Sequence, residues 1–292
     1  MSMRYIYSMN QSKSYLYSFN KEDCAADKWD YGLLKEIFDK YNIQQIKVNA
    51  LPIEDRAFVV IPGPQNIGHE KHIAKELQNI SRLVLFITGD EEGVFDIDRI
   101  DHPNAEIWIQ YPHKKHEKYN KFPIGVPQHL KNNLPNYKTK TYDVFFAGQI
   151  THQRREQLAG AIALVNNALY KPTDGFARGD KPIHYYDNLA SSRIAACPAG
   201  AVVIDSFRLF EAIEMMSLPI ADLIDSSGLE DDFYQRLFNE VVPFYKIKNW
   251  NDLPVIVSGL LEGYPNNMHS VVCWWIKYKR DFGIKLMRQI NA

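Results

Sequence analysis

Short apolar runs with strand character alternate with stripes of helical period along almost the whole chain, and this alternation restricts the fold more than any other feature. Arg82–Thr88 is almost continuously apolar, as a strand buried on both faces must be. Trp29, Leu33, Ile37 and Tyr41 recur at four-residue spacing and mark one face of a helix. Strands that alternate with helices predict α/β architecture with mostly parallel sheets.

The pattern runs through the chain twice. Strands are predicted over Arg4–Met9, Gln45–Ala50, Phe58–Ile61, Arg82–Thr88 and Ala105–Tyr111, and helices over Trp29–Tyr41 and His69–Ile80. Residues His113–Lys140 then turn rich in Pro, Lys and Asn around one apolar piece, Phe122–Val126, which suits a linker. The second series holds strands over Asp143–Ala147, Arg193–Ala196, Leu218–Ala221 and Val241–Tyr245. Its helices are predicted over Gln153–Leu169, Ser206–Met216 and Trp250–Leu261, with a long helix from about Asn267 onward. The length of 292 residues accommodates two units, placed at 1–135 and 136–292. Two such units put a small-molecule site in the cleft between them, where strand carboxyl ends and helix amino ends open.

Composition removes several alternatives. Lys+Arg 34 against Asp+Glu 35 leaves a net charge of -1, so the broad basic field of a non-specific DNA binder is absent. No apolar run approaches the roughly 20 residues of a membrane-spanning helix. The first twenty positions lack the apolar core of a signal peptide. Three cysteines, Cys24, Cys197 and Cys273, fit neither a disulfide framework nor a cysteine-built zinc site, and they suit a reducing cytoplasm.

The stretch Tyr185–Asp222 carries the most chemistry. Asp205 or Ser206 can cap the helix that follows and satisfy its free amides. Ser206 and Arg208 then lie in a first turn whose N–H groups and dipole favour an anion. Glu211 follows Arg208 by three positions, on a neighbouring face. A cation at the helix mouth with a carboxylate one turn deeper suits a nucleoside diphosphate: Arg on phosphate, carboxylate on ribose hydroxyls. The plainer reading of this spacing is an Arg–Glu pair on the surface of an amphipathic helix.

The same stretch resembles the signature of exostosin-type glycosyltransferases. The matching parts are Cys197-Pro198-Ala199-Gly200, Ser206-Phe207-Arg208-Leu209-Phe210-Glu211-Ala212-Ile213 and Leu218-Pro219-Ile220. Tyr142–Gly148 resembles the strand and glycine turn that open the C-terminal domain of that family, with Arg154-Arg155 soon after at a helix start. The likeness is good over about 142–260 and only architectural before that. It implies a GT-B fold, two Rossmann-like domains facing a cleft, with the C-terminal helix packing back on the N-terminal domain. It further implies a nucleotide-sugar donor, of which UDP is the commonest form, on the C-terminal side and an acceptor on the N-terminal side. Ser206 and Arg208 would contact the diphosphate and Glu211 the ribose. Gly148 would admit the donor closely, and Arg154 or Arg155 would clamp a phosphate. For Cys197 a small buried residue is the expected role.

Retaining enzymes of this fold often carry two glutamates eight positions apart, and the position eight before Glu211 is Val203, so inversion is expected. Inversion needs a general base on the acceptor side. Asp90, Glu91 and Glu92 follow the strand Arg82–Thr88, with Asp90 the first choice. His69 opens a helix towards the expected cleft, while His113 and His116 read as surface groups of a basic linker. No metal or other cofactor is expected. Lacking the membrane anchor of eukaryotic exostosins, the chain reads as a cytoplasmic bacterial or viral enzyme. The acceptor is open: a glycan, a lipid-linked sugar, a protein or a modified nucleobase. Two rival readings stand beside this one. Asp96-Ile97-Asp98 matches the metal-holding Asp-x-Asp of GT-A transferases, and a non-catalytic nucleotide-sugar-binding protein would share the donor signature.

Overall fold

A computed structural model describes residues 12–18, 30–127, 131, 138–175, 178–225, 228–229 and 232–292. The strand predicted over Arg4–Met9, together with Cys24 and Trp29, lies outside these residues.

The first unit is one parallel sheet of β1 (Lys13–Tyr17), β2 (Gln44–Val48), β3 (Glu54–Pro62), β4 (Ile80–Thr88), β5 (Ala105–Ile109) and β6 (Asn120–Lys121). Its order is β2-β1-β3-β4-β5-β6, with α1 (Gly32–Lys40) and α2 (Glu70–Leu77) in the connections. The second unit is a parallel sheet of β7 (Tyr142–Gly148), β8 (Ala168–Pro172), β9 (Ser192–Cys197), β10 (Leu218–Asp222) and β11 (Tyr245–Ile247). It carries α3 (Gln153–Ile162), α4 (Pro182–Ala190), α5 (Phe207–Glu214), α6 (Phe233–Phe238) and α7 (Leu253–Gly263). The strand order β8-β7-β9-β10-β11 repeats the 2-1-3-4-5 order with which the first sheet begins. In each sheet the order reverses beside its first strand, and that switch point is where a doubly wound fold opens a crevice.

Side chains of period two explain the two cores. Along β4, Val84 and Phe86 face one side while Leu83, Leu85 and Ile87 face the other. The second set packs with Ile73 and Leu77 of α2. The first set belongs to a larger core that runs continuously into the second unit. The element joining them is α8 (Asn266–Asn291), about 39 Å long at the helical rise. Near its start Trp275 donates to Glu214 of α5 (2.8 Å). Further along, Phe282 packs edge-on to Trp108 of β5, and Trp108 donates to Gln289 (3.0 Å). The C-terminal helix therefore returns to the N-terminal sheet, as expected. Lys279 of α8 ties both units at one point, meeting Glu36 of α1 at 2.8 Å and Glu214 of α5 at 2.7 Å.

Several elements differ from expectation. β1, unpredicted, is a central strand built from Tyr15, Leu16 and Tyr17, whose aromatic rings fill a core that aliphatic residues usually announce. The helix predicted over Gln153–Leu169 stops at Ile162, and Asn167, in a left-handed conformation (φ 55°), turns the chain just before β8. α4 and α6 were not anticipated. The first half of the expected linker belongs to the first unit: Phe122, Ile124 and Val126 are buried and β6 pairs with β5. Among the described residues no helix is long and apolar enough to cross a membrane.

Candidate functional site

A cleft of about 480 Å³ opens between the carboxyl ends of the two sheets. The second unit lines it with residues following β7 (Gly148, Gln149), β9 (Gly200, Ala201) and the amino end of α5 (Ser206, Arg208), so the cleft sits at the β7/β9 switch point. The first unit contributes Glu91, Tyr111 and Ile124.

The helix mouth comes from the sequence around Ser206. That residue is the N-cap: its hydroxyl accepts the Arg208 amide at 3.4 Å. Asp205, the other capping candidate, accepts the Ser206 amide instead (2.9 Å). Burial pushes its carboxyl up to about 8, with the charge of Glu91 adding to the shift. Leu209, Ala212 and Ile213 anchor α5 in the core, which leaves Arg208 to reach outward. Arg208 Nη2 donates to the Ala147 carbonyl (2.7 Å), and the guanidinium lies over the Phe146 ring at 4.9 Å. A Cβ on Gly148 would stand 2.6 Å from Arg208 Nη2, so glycine is what lets the guanidinium sit at this strand end.

Arg155 closes the same end of the cleft. Its guanidinium donates to the Ala199 carbonyl (2.9 Å) and the Gln149 carbonyl (3.1 Å), bridging the loops that flank the switch point. Burial first and the charge of Arg208 second bring it down to about 10, so two neighbouring guanidiniums repel each other there. An anion between them relieves that repulsion.

One turn into α5, Glu211 lines the cleft while only 6% exposed. Its Oε2 accepts the Tyr185 hydroxyl (2.7 Å) and its Oε1 accepts the Tyr186 hydroxyl (3.0 Å). The surface Arg–Glu pair of the plainer reading is not formed: Arg208 goes to the strand end and Glu211 to the two tyrosines.

Arg154 points elsewhere. It lies outside the cleft lining and pairs with Asp222, which is 0% exposed and also holds Trp250 Nε1 (2.9 Å) and the Ala199 amide (3.2 Å). Its partner is thus an internal carboxylate in place of a phosphate, and its effect is to pin the Cys197–Gly200 loop. Cys197 is buried, and burial pushes its thiol up to about 12.

From the first unit the structure brings Glu91 to the cleft and leaves Asp90 and Glu92 out of its lining. The Asp90 carboxylate accepts the amides of Val94 (2.9 Å) and Phe95 (3.2 Å), shaping its own loop, so the first choice among the three acids is displaced. Glu92 is exposed. Burial raises the Glu91 carboxyl above its ordinary value, with Glu92 adding to the shift. Gln110 fixes this loop by accepting the Gly89 amide (3.0 Å) and donating to the Asp30 carbonyl (2.7 Å). Burial pushes Asp30 itself up to about 7, helped by Glu91.

His69 occupies the N-cap of α2 without a side-chain capping bond and outside the cleft lining. His113 and His116, expected at the surface, pack together at 5.8 Å between ring centroids; His116 is buried and His113 lies against Gly93. Asp96 pairs with Arg99 (2.7 Å), and Asp98 with Lys118 (2.6 Å) and Tyr119 (2.6 Å). The Asp-x-Asp acids thus lie away from the cleft lining, and no group of three or more His, Cys, Asp or Glu forms a metal site among the described residues.

Tyr185, Tyr186, Asp30 and Gln110 carried no role in the sequence. The first two open the most informative stretch, and the unpredicted helix α4 is what aims both at one carboxylate.

The sequence profile of the RXYLT1 C-terminal domain matches residues 119–291, more than half of the chain. The chain belongs to the RXYLT1 C-terminal domain family. The match takes in the whole second sheet, the helix mouth and α8. Among solved structures, HepE from Anabaena in complex with UDP is similar over 96% of this chain and 98% of that chain, at 10% identity and a TM-score of 0.48. No curated protein matches.

Proposed function

We propose that this protein is a glycosyltransferase that moves a sugar from a nucleotide-diphosphate donor, with UDP as the nucleotide, to an acceptor held by the first unit. The observation that carries this is the pairing of Arg208 at the mouth of α5 with Glu211 one turn deeper, both lining one cleft. The amides and dipole at the helix mouth, together with Arg208 and Arg155, suit a diphosphate. Glu211 suits the ribose hydroxyls. Donor charge is met by helix end and guanidinium, so the proposed reaction runs without a metal ion.

Inversion at the anomeric carbon requires one carboxylate to take the acceptor hydroxyl proton as its oxygen attacks and the nucleoside diphosphate departs. Glu91, which lines the same cleft from the first unit, is our choice for this base, and its raised carboxyl makes it a stronger proton acceptor than an ordinary glutamate. The negative charge that develops on the leaving diphosphate falls where α5 and the two arginines already direct positive potential. The test is transfer or hydrolysis of a labelled UDP-sugar by the purified protein in the presence of a chelator. Turnover supports the proposal; UDP binding without turnover indicates a binding protein.

A further inference from the structure

Resting on the nucleotide-sugar function proposed above, we propose that Tyr185 and Tyr186 are positioning residues that hold Glu211 as a reader of the ribose 2′,3′-diol, so that the cleft selects ribonucleoside over deoxyribonucleoside diphosphates. The two tyrosines are adjacent on α4, and one helix cannot point adjacent side chains in the same direction. Their hydroxyls converge on the two oxygens of a single carboxylate, at 2.7 and 3.0 Å. Each oxygen is approached by its own donor, which fixes the plane of the carboxylate as well as its place.

The rings are themselves held. Tyr186 is fully buried, Tyr185 packs against Phe145 at 5.6 Å, and the two tyrosine rings meet edge to face at 5.2 Å. A hydroxyl on such a ring does not follow a carboxylate that moves. Burial and the charge of Glu211 raise both phenols above their ordinary range, so they remain donors at any working pH. An ionised carboxylate only accepts hydrogen bonds, and a ligand that it recognises has to bring donors. A cis-diol brings two hydroxyls side by side; a 2′-deoxyribose brings one. With the carboxylate plane fixed, the missing hydroxyl is not made good by rotation of Glu211.

Calorimetric titration of UDP and of 2′-deoxy-UDP into the wild-type chain, Tyr185→Phe, Tyr186→Phe and the double variant tests this. Phenylalanine keeps the ring volume, and Tyr185→Phe, at the less buried position, serves if Tyr186→Phe does not fold. Wild type is expected to prefer UDP by about ten- to hundredfold, the scale of one hydrogen bond to a charged group. Each single variant narrows that ratio, and the double variant brings it to within a fewfold, with 2′-deoxy-UDP affinity little changed. A purely structural role weakens both nucleotides equally and leaves the ratio intact, which overturns the inference. Equal affinity in the wild type overturns it also, while leaving UDP binding itself standing. Failure of wild type to bind UDP at all removes the nucleotide function first and this inference with it.

Discussion

The guanidinium of Arg208 occupies the space beside Gly148 that any other residue's Cβ would need, at 2.6 Å from that position. The pair joins the end of β7 to the mouth of α5, so the position of the guanidinium depends on a residue without a side chain. Gly148→Ala is expected to displace the guanidinium from the Ala147 carbonyl and weaken UDP binding by about tenfold, the loss of one charged hydrogen bond. The check is calorimetry beside a thermal melt; wild-type affinity in a folded variant contradicts it.

Glu91→Gln is expected to lower kcat by about 10²–10⁴ with little change in UDP affinity, the usual contribution of a general base. Asp90→Asn should act differently, because its carboxylate holds two loop amides: stability falls first. In wild type, kcat should rise with pH through a limb displaced above the ordinary glutamate value of 4.5, because Glu91 must be ionised to act and burial holds its proton. A pH–rate profile with its acid limb at or below 4.5 contradicts the assignment.

Arg154 and Asp222 form a buried ion pair behind the site. Arg154→Ala leaves an uncompensated buried carboxylate, which costs about 3–5 kcal/mol of stability. Denaturant unfolding reads this directly. A variant as stable as wild type but unable to bind UDP would return Arg154 to the role of phosphate clamp.

Asp205 titrates in the folded chain at about 8 against an ordinary 3.8, because burial disfavours its charge. The folded state therefore holds a proton that the unfolded state releases between those values. Its contribution to stability is complete below 3.8 and is lost as pH rises through about 8. Asp205→Asn keeps an oxygen to accept the Ser206 amide and removes the titration. Its melting temperature should gain on wild type from pH 5 up to about pH 8 and level off above that, as thermal melts from pH 5 to pH 9 would reveal. A constant difference contradicts the shift.

The placement of side chains on α5 was legible because capping and core stripe both speak through local sequence. Ser206, Arg208 and Glu211 lie within six consecutive positions, and their placement follows once the helix is recognised. The alternation of strands and helices likewise exposed two parallel sheets, since buried parallel strands such as β4 are apolar on both faces. What escaped depends on contacts that no sequence pattern announces. The carboxylate that claims Arg154 of α3 is Asp222 at the end of β10, and no local pattern in the sequence announces that pairing. That Glu91 reaches the cleft and Asp90 does not turns on which carboxylate its own loop consumes, through amides four and five residues ahead that carry no recognisable pattern. β8 went unread because it is an edge strand with little apolar signal, and the predicted helix ran over its first two residues, Ala168 and Leu169. Tyr185 and Tyr186 were visible as residues, but their convergence on Glu211 requires the packing of α4 beside α5.

The proposed transfer reaction requires a diphosphate bound at the mouth of α5. Calorimetric titration of UDP into wild type and Arg208→Ala measures it most directly. Wild type should bind, and the variant, folded because Leu209, Ala212 and Ile213 still anchor the helix, should lose roughly 1.5–3 kcal/mol of binding free energy. Equal affinity in the two proteins would contradict the account.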